Sequence, residues 1–177
     1  MAEGRRAHLV LGGARSGKSA FAEARALAAG DVDRWVYVAT ARAQDSEMQD
    51  RIDRHRARRD PRWETVEAPL DLAAALARHD APGTCVLVDC LTLWLTNALT
   101  EDCWPAEREA LLAAVAASRA RLLLVSNEVG SGVVPMGALS RTFVDEAGRL
   151  HQRLAATCAR VTLVVAGLPT TLKDDCP

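Results

Sequence analysis

The sequence predicts an α/β fold in which a mostly parallel central sheet is flanked by helices. Short apolar and β-branched runs recur along the chain, and each ends in glycine or polar residues, as buried strands do. These predicted strands lie at His8–Leu11, Trp35–Ala39, Thr84–Asp89, Leu122–Ser126 and Val161–Ala166. Longer stretches with helical spacing separate them, at Lys18–Ala29, Glu47–Arg58, Leu70–His79, Pro105–Ala120 and Leu139–Ala159. Because strands and helices alternate, the sheet should be largely parallel. A weaker strand at Trp63–Glu67 and a short helix at Leu91–Leu99 complete the prediction.

Length and composition favour one domain covering residues 1–177, with enough apolar residues for a continuous core. The formal net charge of −1 gives no general reason to bind nucleic acid or an anionic membrane. The cysteines are odd in number and widely spaced, which disfavours structural zinc and a disulfide framework. No apolar run approaches the ~20 residues of a membrane-spanning helix, and no signal peptide is predicted. We therefore expect a cytoplasmic protein.

A phosphate-binding loop follows the first predicted strand. The motif G-x-x-x-x-G-K-[ST] is matched by Gly12, Gly13, Ala14, Arg15, Ser16, Gly17, Lys18 and Ser19. Its glycines let the backbone N–H groups wrap around a phosphate at the positive end of a helix. Lys18 should reach the outer phosphates of a purine nucleoside triphosphate, and the Ser19 hydroxyl should hold Mg²⁺. The strand before the motif and the Ala-rich helix after it disfavour a chance glycine-rich turn. The fold is therefore predicted to be of the P-loop NTPase type.

Asp89 ends the apolar strand Thr84–Asp89 and is the predicted second carboxylate partner of the magnesium ion. An acid after a run of apolar residues would be costly to bury without a cation or hydrogen-bond donors. The alternative is that Asp89 caps the helix beginning near Leu91.

His55 lies within an unusually arginine-rich segment, Arg51–Arg62. If Glu47–Arg58 is helical, His55 sits where an apolar stripe meets a basic stripe. A histidine nitrogen there could attack an α-phosphate while arginines stabilise the transferring group. From the residues alone, a solvated Arg-rich helix that happens to contain a histidine is the better interpretation. RNA binding is disfavoured because Trp63 is the only aromatic residue nearby.

The remaining histidines, His8, His79 and His151, are interpreted as structural, since none has the spacing of a metal site. The segment Asn127–Pro135 follows a strand and is either a substrate-facing loop or an ordinary strand-to-helix turn. Its glycines are only a fragment of a dinucleotide-binding fingerprint, so a nicotinamide site is rejected.

Several motifs, in a shared order over nearly the whole chain, resemble those of a known enzyme family. They are GGARSGKS at Gly12–Ser19, YVATA at Tyr37–Ala41, DSEMQDRIDRHRARR at Asp45–Arg59, WETVEAP at Trp63–Pro69, LVDCLTLWLTN at Leu87–Asn97, SNEVGSGVVP at Ser126–Pro135 and the AGLP-x-x-LK ending. The family is that of the bifunctional adenosylcobinamide kinases and adenosylcobinamide-phosphate guanylyltransferases of cobalamin biosynthesis.

The resemblance implies that adenosylcobinamide is phosphorylated with ATP or GTP. GMP from GTP is then placed on a histidine, pyrophosphate leaves, and the corrinoid phosphate takes the GMP to give adenosylcobinamide-GDP. The family nucleophile matches His55, which moves the interpretation of this residue from structural to functional. Two rivals remain: a simple P-loop kinase of another small metabolite without a covalent intermediate, and a nucleotide-dependent binding module acting through Arg51–Arg62.

The same resemblance assigns nucleotide contacts and assembly. The implied contacts are the phosphate loop, Ala39, Thr40, Ala41, Arg56, Ala57, Arg58, Arg59, Glu67 and Asp89. It also implies a recombinase-like P-loop fold and a homo-oligomer, in particular a trimer. Where some relatives carry a second histidine before the nucleophile, this chain has Arg54. The sequence leaves open which donor the kinase step prefers, where the corrinoid binds and which group deprotonates its hydroxyl.

Overall fold

A seven-stranded sheet forms the centre of the computed structural model, which describes residues 7–42, 50, 56–57 and 59–175. Its strands are β1 (Ala7–Gly12), β2 (Arg34–Ala39), β3 (Trp63–Glu67), β4 (Thr84–Asp89), β5 (Arg121–Asn127), β6 (Arg160–Val165) and β7 (Leu168–Asp174). Their order across the sheet is β3-β2-β4-β5-β1-β6-β7. Every pairing from β3 to β6 is parallel, and only β7 runs antiparallel to its neighbour. The predicted α/β fold with a mostly parallel sheet is confirmed.

Helices fill most of the connections, close to the predicted positions. They are α1 (Lys18–Leu27), α2 (Leu72–Arg78), α3 (Leu91–Thr100), α4 (Trp104–Ala117) and α5 (Ala138–Thr157). The predicted helix Glu47–Arg58 lies mostly outside the described residues, although Asp50, Arg56 and Ala57 are helical. No helix in the described part of the chain has the length and apolar character needed to cross a membrane.

The core has two layers, one on each face of the sheet. Alternate strand residues point to opposite faces, so Leu9 and Leu11 of β1 pack on one side while Val10 packs on the other. The larger layer lies under α2 to α5 and includes Trp94, whose ring meets Trp104 edge-on at 5.3 Å. The smaller layer lies under α1. The central strands are buried on both faces of the sheet, and for this reason their sequences are continuous apolar runs.

Strand β7 is absent from the sequence prediction. It pairs with β6 in a hairpin whose two-residue turn is Ala166-Gly167, both with positive φ (52° and 79°). Two positive φ angles are typical of a type I′ turn, which usually carries Asn or Gly rather than Ala. The residues of β7 are mostly exposed and include Pro169, which an edge strand tolerates because its outer side has no partner strand. Neither an apolar alternation nor a familiar turn dipeptide signals this strand.

Candidate active site

The phosphate loop occupies the turn between β1 and α1, as predicted. Gly12 is required at its start, because a Cβ there would lie 2.4 Å from the Ser16 hydroxyl and 2.6 Å from the Val164 carbonyl oxygen. Arg15 and Gly17 have positive φ angles of 57° and 93°, which curl the backbone around a concave surface. Among residues 7–42, 50, 56–57 and 59–175, nothing lies within 4 Å of a Cβ placed on Gly13, so these residues leave the outer side of the loop open. This geometry suits close approach of a phosphate.

Three groups of the loop are available for an anion. The Ser16 hydroxyl is buried and finds no hydrogen-bond partner among the described residues. Lys18 is buried, with its Nζ donating to the Gly13 carbonyl at 3.1 Å, so its charge stays inside the loop. Helix α1 begins at Lys18 without a side-chain cap and without an acidic residue in its first turn. Its first N–H groups and dipole therefore favour negative charge.

The turn of the β6–β7 hairpin contacts the phosphate loop. The Gly167 N–H donates to the Ser16 carbonyl at 2.8 Å, and a Cβ on Gly17 would lie 3.3 Å from the Gly167 Cα. The close approach limits side-chain bulk at Gly17, whereas Gly167 is favoured by its positive φ of 79°. The predicted site did not include Gly167, because its contribution depends on the hairpin.

Asp89 ends β4 on the same edge of the sheet as the phosphate loop. One strand, β5, separates β4 from β1, so the two strand ends are roughly 10 Å apart. The Tyr37 hydroxyl donates to Asp89 Oδ2 at 2.7 Å, which leaves the second carboxylate oxygen for other partners. Burial, and then the charge of Asp89, raise the pKa of Tyr37, so the phenol stays protonated. The peptide bond between Asp89 and Cys90 is cis. α3 begins at Leu91 with Cys90 as its N-cap and has no side-chain cap, so Asp89 does not cap this helix.

Electrostatic coupling ties this strand end to the phosphate loop. Burial raises the pKa of the Cys90 thiol, the charge of Asp89 raises it further, and the charge of Lys18 partly offsets both. Burial also raises the pKa of Glu23 on α1, where Arg59 and Asp89 act in opposite directions. The charge of Asp89 therefore acts on Cys90 together with that of Lys18, and on Glu23 together with that of Arg59.

Arg59 brings the arginine-rich segment to this end of the sheet. Its Cζ lies 3.5 Å from the centroid of the Tyr37 ring, and its Nη1 donates to Thr65 Oγ1 at 3.2 Å. Its Nε is buried and has no hydrogen-bond partner within the described ranges. Arg56 and Ala57 are exposed. The predicted nucleophile His55 and the predicted contact Arg58 lie outside the described residues.

The segment after β2 is fixed by a buried polar network. The Thr40 hydroxyl donates to the Cys90 carbonyl at 2.7 Å and accepts from the Cys90 N–H at 2.9 Å. The Asn97 amide donates to the carbonyls of Thr40 at 3.0 Å and Pro69 at 2.9 Å. The Thr40 side chain is thus engaged in holding the strand ends together, while its neighbours Ala39 and Ala41 are partly exposed. Glu67 is exposed at the end of β3.

The loop after β5, residues 128–137, starts beside the phosphate loop. The Glu128 N–H donates to the Gly12 carbonyl at 3.0 Å, and its carboxylate accepts from the Gly130 N–H at 2.7 Å. Burial acts to raise the pKa of Glu128, but hydrogen bonds from Ser131 and Gly130 lower it overall. His151 on α5 hydrogen-bonds the buried Ser126 hydroxyl at 2.8 Å, and burial lowers its pKa. His8 pairs similarly with Thr162 at 2.8 Å, in agreement with the structural interpretation of both histidines.

The donor set fits magnesium held partly by a substrate. Within the described ranges there is no group of three or more His, Cys, Asp or Glu side chains that could hold a metal ion. Mg²⁺ in nucleotide sites usually takes one or two protein oxygens and completes its shell with phosphate and water. The partly buried Ser19 hydroxyl and Asp89 carboxylate carry oxygen atoms of the kind that Mg²⁺ prefers.

Comparison with known proteins places this site in a defined family. A family model described as "Cobinamide kinase / cobinamide phosphate guanyltransferase" matches residues 8–172. The chain is 55% identical over 170 residues to the bifunctional adenosylcobalamin biosynthesis protein CobP of Pseudomonas aeruginosa, covering 94% of this chain and 97% of that protein. It is 40% identical to the CobU protein of Escherichia coli and 39% identical to that of Salmonella typhimurium, with 93% of this chain and 98% of each relative covered.

Solved structures with a similar fold include ATPases of bacterial secretion systems. A prototypical type III secretion ATPase superposes with a TM-score of 0.58 at 9% identity, covering 94% of this chain and 57% of the ATPase. EscN of enteropathogenic E. coli gives 0.56 at 9% identity, with 91% and 43% covered. The chain thus spans about half the length of these ATPases, and the likeness concerns the fold alone. With its phosphate loop, strand-end acid and family match over residues 8–172, the chain belongs to the cobinamide kinase / cobinamide phosphate guanyltransferase family.

Proposed function

We propose that the chain, acting as one domain over residues 1–177, carries out both family reactions at the carboxyl edge of its sheet. It phosphorylates adenosylcobinamide with ATP or GTP and then transfers GMP from GTP, through a guanylylated His55, to the phosphorylated product. The observation that carries the proposal is the open phosphate loop on one sheet edge with Asp89 and the anchored Arg59. A nucleotide triphosphate bound there would present its phosphates to both the loop and the arginine-rich segment.

In the kinase step the hydroxyl oxygen of the corrinoid side chain attacks the γ-phosphorus. A new O–P bond forms, the bond to the β-phosphate oxygen breaks, a nucleoside diphosphate leaves with the charge, and the hydroxyl proton passes to solvent. Lys18 and the first N–H groups of α1 stabilise the charge spread over the phosphate oxygens. The chain's contribution is chiefly positioning and electrostatics.

In the guanylyl step a neutral His55 nitrogen attacks the α-phosphorus of GTP. An N–P bond forms, the bond to the β-phosphate breaks, pyrophosphate leaves and the imidazole proton passes to solvent. A phosphate oxygen of the corrinoid then attacks the same phosphorus, which breaks the N–P bond and frees His55. Arg56, Ala57, Arg58 and Arg59, with Ala39, Thr40, Ala41, Glu67 and Asp89, form the proposed nucleotide contacts around the loop.

Ser19 and Asp89 would hold Mg²⁺ beside the phosphates. The ion would supply charge neutralisation at the phosphate oxygens. Tyr37 keeps one Asp89 oxygen occupied, and that fixes the direction in which the other oxygen points.

The covalent step is tested with GTP labelled at the α-phosphate, using the wild type and His55→Ala. The expected result is a label that stays on denatured wild-type protein, is lost in acid, survives alkali and is missing from His55→Ala. His79→Ala is the matched control, because His79 lies at the end of α2, and it should label normally. A folded, GTP-binding wild type without label would favour the plain kinase.

The pH dependence gives a second test. Attack requires unprotonated imidazole, whose ordinary pKa is about 6.5, so labelling should fall at acidic pH. GMP transfer that stays unchanged at acidic pH would contradict the role of His55.

Assembly and location complete the proposal. A homo-oligomer, in particular a trimer, is supported by the family resemblance and by exposed apolar side chains at Val133, Met136 and Leu168, of which Met136 is 96% exposed. Light scattering of the purified protein tests it, and a monomer would contradict it. We also propose that the enzyme works in the cytoplasm on small-molecule substrates rather than on nucleic acid, consistent with its net charge of −1.

A further inference from the structure

Tyr37, in the middle of β2, reaches two parts of the candidate site at once. Its side chain is 1% exposed. Its hydroxyl donates to Asp89 Oδ2 at 2.7 Å, and one face of its ring carries the Arg59 guanidinium with Cζ 3.5 Å from the centroid. The edge of the same ring meets Trp63, with centroids 5.8 Å apart.

The Tyr37 side chain is buried, while Asp89 and Arg59 are each partly buried, so both contacts are partly shielded from water. A buried phenol needs a hydrogen-bond partner, and a carboxylate partner gives a charge-assisted bond. A desolvated guanidinium over an aromatic face gains more than an exposed one. Arg59 has Thr65 as its one further hydrogen-bond partner among the described contacts, while its Nε is buried without any. The Tyr37 ring is therefore one of the contacts that hold Arg59, together with Thr65 and the charge of Glu23.

We propose that Tyr37 is a positioning residue that holds the Asp89 carboxylate and the Arg59 guanidinium in a fixed relation. It thereby couples the phosphate-loop part of the site to the segment that carries His55, which lies four residues before Arg59. The inference rests on the proposed function, because it gives the anchored segment a part in guanylyl transfer.

The hydroxyl and the ring of Tyr37 should affect the two reactions differently. The hydroxyl orients Asp89, on which both the kinase and the guanylyl step depend. The ring anchors Arg59, which is a proposed nucleotide contact and also follows His55 by four residues, so losing this anchor should affect guanylyl transfer more than phosphorylation. Removing the hydroxyl should therefore slow both reactions by a similar factor, whereas removing the ring should slow guanylyl transfer further.

Trp35 offers a matched control on the same strand. It lies two residues before Tyr37, so its side chain is on the same face of β2. Its ring also carries an arginine, Arg62, at 5.5 Å, and its Nε1 donates to the Ala26 carbonyl at 3.0 Å. Trp35→Leu thus removes a comparable aromatic–arginine contact without touching Asp89 or Arg59.

The experiment compares Tyr37→Phe, Tyr37→Leu and Trp35→Leu with the wild type. It measures phosphorylation of cobinamide, covalent labelling by α-labelled GTP, and nucleotide affinity with Mg²⁺ and with EDTA. Tyr37→Phe should lower both rates about tenfold, leave their ratio unchanged, and weaken nucleotide binding only when Mg²⁺ is present. Tyr37→Leu should lower labelling about another tenfold relative to phosphorylation. Trp35→Leu should keep the wild-type ratio and affinity.

Arg59→Lys keeps the inference testable if Tyr37→Leu does not fold. Lysine keeps the charge but loses the planar stack, so labelling should fall about tenfold more than phosphorylation does. Equal loss of both reactions in Arg59→Lys would overturn the role of the ring.

The remaining outcomes separate this inference from the proposed function. A wild-type chain that takes no label overturns the proposed function and this inference with it. A wild type that labels normally while Tyr37→Leu keeps the wild-type ratio overturns this inference alone. The same holds if Trp35→Leu reproduces the effect of Tyr37→Leu.

Discussion

Gly167 donates its backbone N–H to the Ser16 carbonyl at 2.8 Å, so the turn of the last hairpin supports the loop that follows the first strand. The φ of Gly167 is 79°, a value that proline cannot adopt. The contact links residues that are far apart in the chain and gives the phosphate loop a fixed base.

Replacing Gly167 by proline should weaken nucleotide binding. The change removes the donor and the required φ, and a net hydrogen-bond contribution of about 1 kcal/mol corresponds to a rise in nucleotide Kd of roughly three- to tenfold. Fluorescence titration with a labelled GTP measures it. Gly30→Ala is the control, since Gly30 is exposed and nothing lies within 4 Å of its Cβ position. An unchanged Kd in Gly167→Pro would show that the hairpin turn is dispensable.

Replacing Lys18 by alanine should abolish both reactions together. Its buried ammonium is held inside the loop by the Gly13 carbonyl, where it can meet the outer phosphates. We expect losses of about 10²- to 10³-fold in phosphorylation and in guanylyl labelling, without loss of the folded state by circular dichroism. If only one reaction were lost, the two steps would not share this loop.

The stability of the protein should fall in acid because of His8. Burial, followed by the charges of Arg160 and Arg25, lowers its pKa to about 4. The unfolded chain takes up a proton near pH 6.5 and the folded chain does not until about pH 4. The contribution of His8 to the free energy of unfolding is therefore fully present above about pH 6.5. As the pH falls towards 4, this contribution is lost and the free energy of unfolding declines by about 3 kcal/mol.

Urea unfolding of the wild type and of His8→Gln between pH 7 and pH 4 measures this contribution. Glutamine can still hydrogen-bond Thr162, as His8 does at 2.8 Å, but does not titrate. Its unfolding free energy should decline less steeply with falling pH than that of the wild type. Parallel curves for the two proteins would rule out His8 as the source.

Replacing Gly148 by alanine should stabilise the protein. Gly148 lies inside α5, and nothing is within 4 Å of the position its Cβ would take. Alanine in a helix interior should raise the free energy of unfolding by about 0.5–1 kcal/mol, with both activities unchanged. Thermal unfolding checks the stability, and a lower melting temperature would contradict the open space around Gly148.

The sequence was sufficient to predict the elements that are buried or tightly patterned. The predicted strand Thr84–Asp89 has the observed bounds, and the weak strand Trp63–Glu67 is confirmed in full. β7 was missed because an edge strand has no need of apolar alternation, and its turn places Ala166 at a φ that alanine seldom adopts. Whether an edge segment forms a strand depends on its pairing with one neighbouring strand, here β6. The local sequence of β7 does not show that pairing.

The candidate site also has a part that could be predicted from the sequence and a part that could not. The phosphate loop is local, because one contiguous motif sets its shape, so its residues could be predicted from spacing. The partners of Asp89 are set by strand pairing, in which Ala39 of β2 stands opposite Asp89 of β4. That register brings Tyr37 within reach of the carboxylate, and it follows from the order of strands in the sheet. In the sequence, Tyr37 lies only within the predicted strand Trp35–Ala39 and the motif Tyr37–Ala41, and neither of these indicates the contact with Asp89.

Strand β1 has a consequence for how the chain is made. It is the first strand, yet its two neighbours in the sheet are β5 and β6, residues 121–127 and 160–165. During synthesis β1 and the phosphate loop are made before β5 and β6, so β1 has neither of its partner strands until residues 121–127 and 160–165 have been synthesised. Such long-range pairing folds slowly and leaves apolar strands exposed meanwhile. Nucleotide binding therefore requires β5 and β6 to have been synthesised and paired with β1.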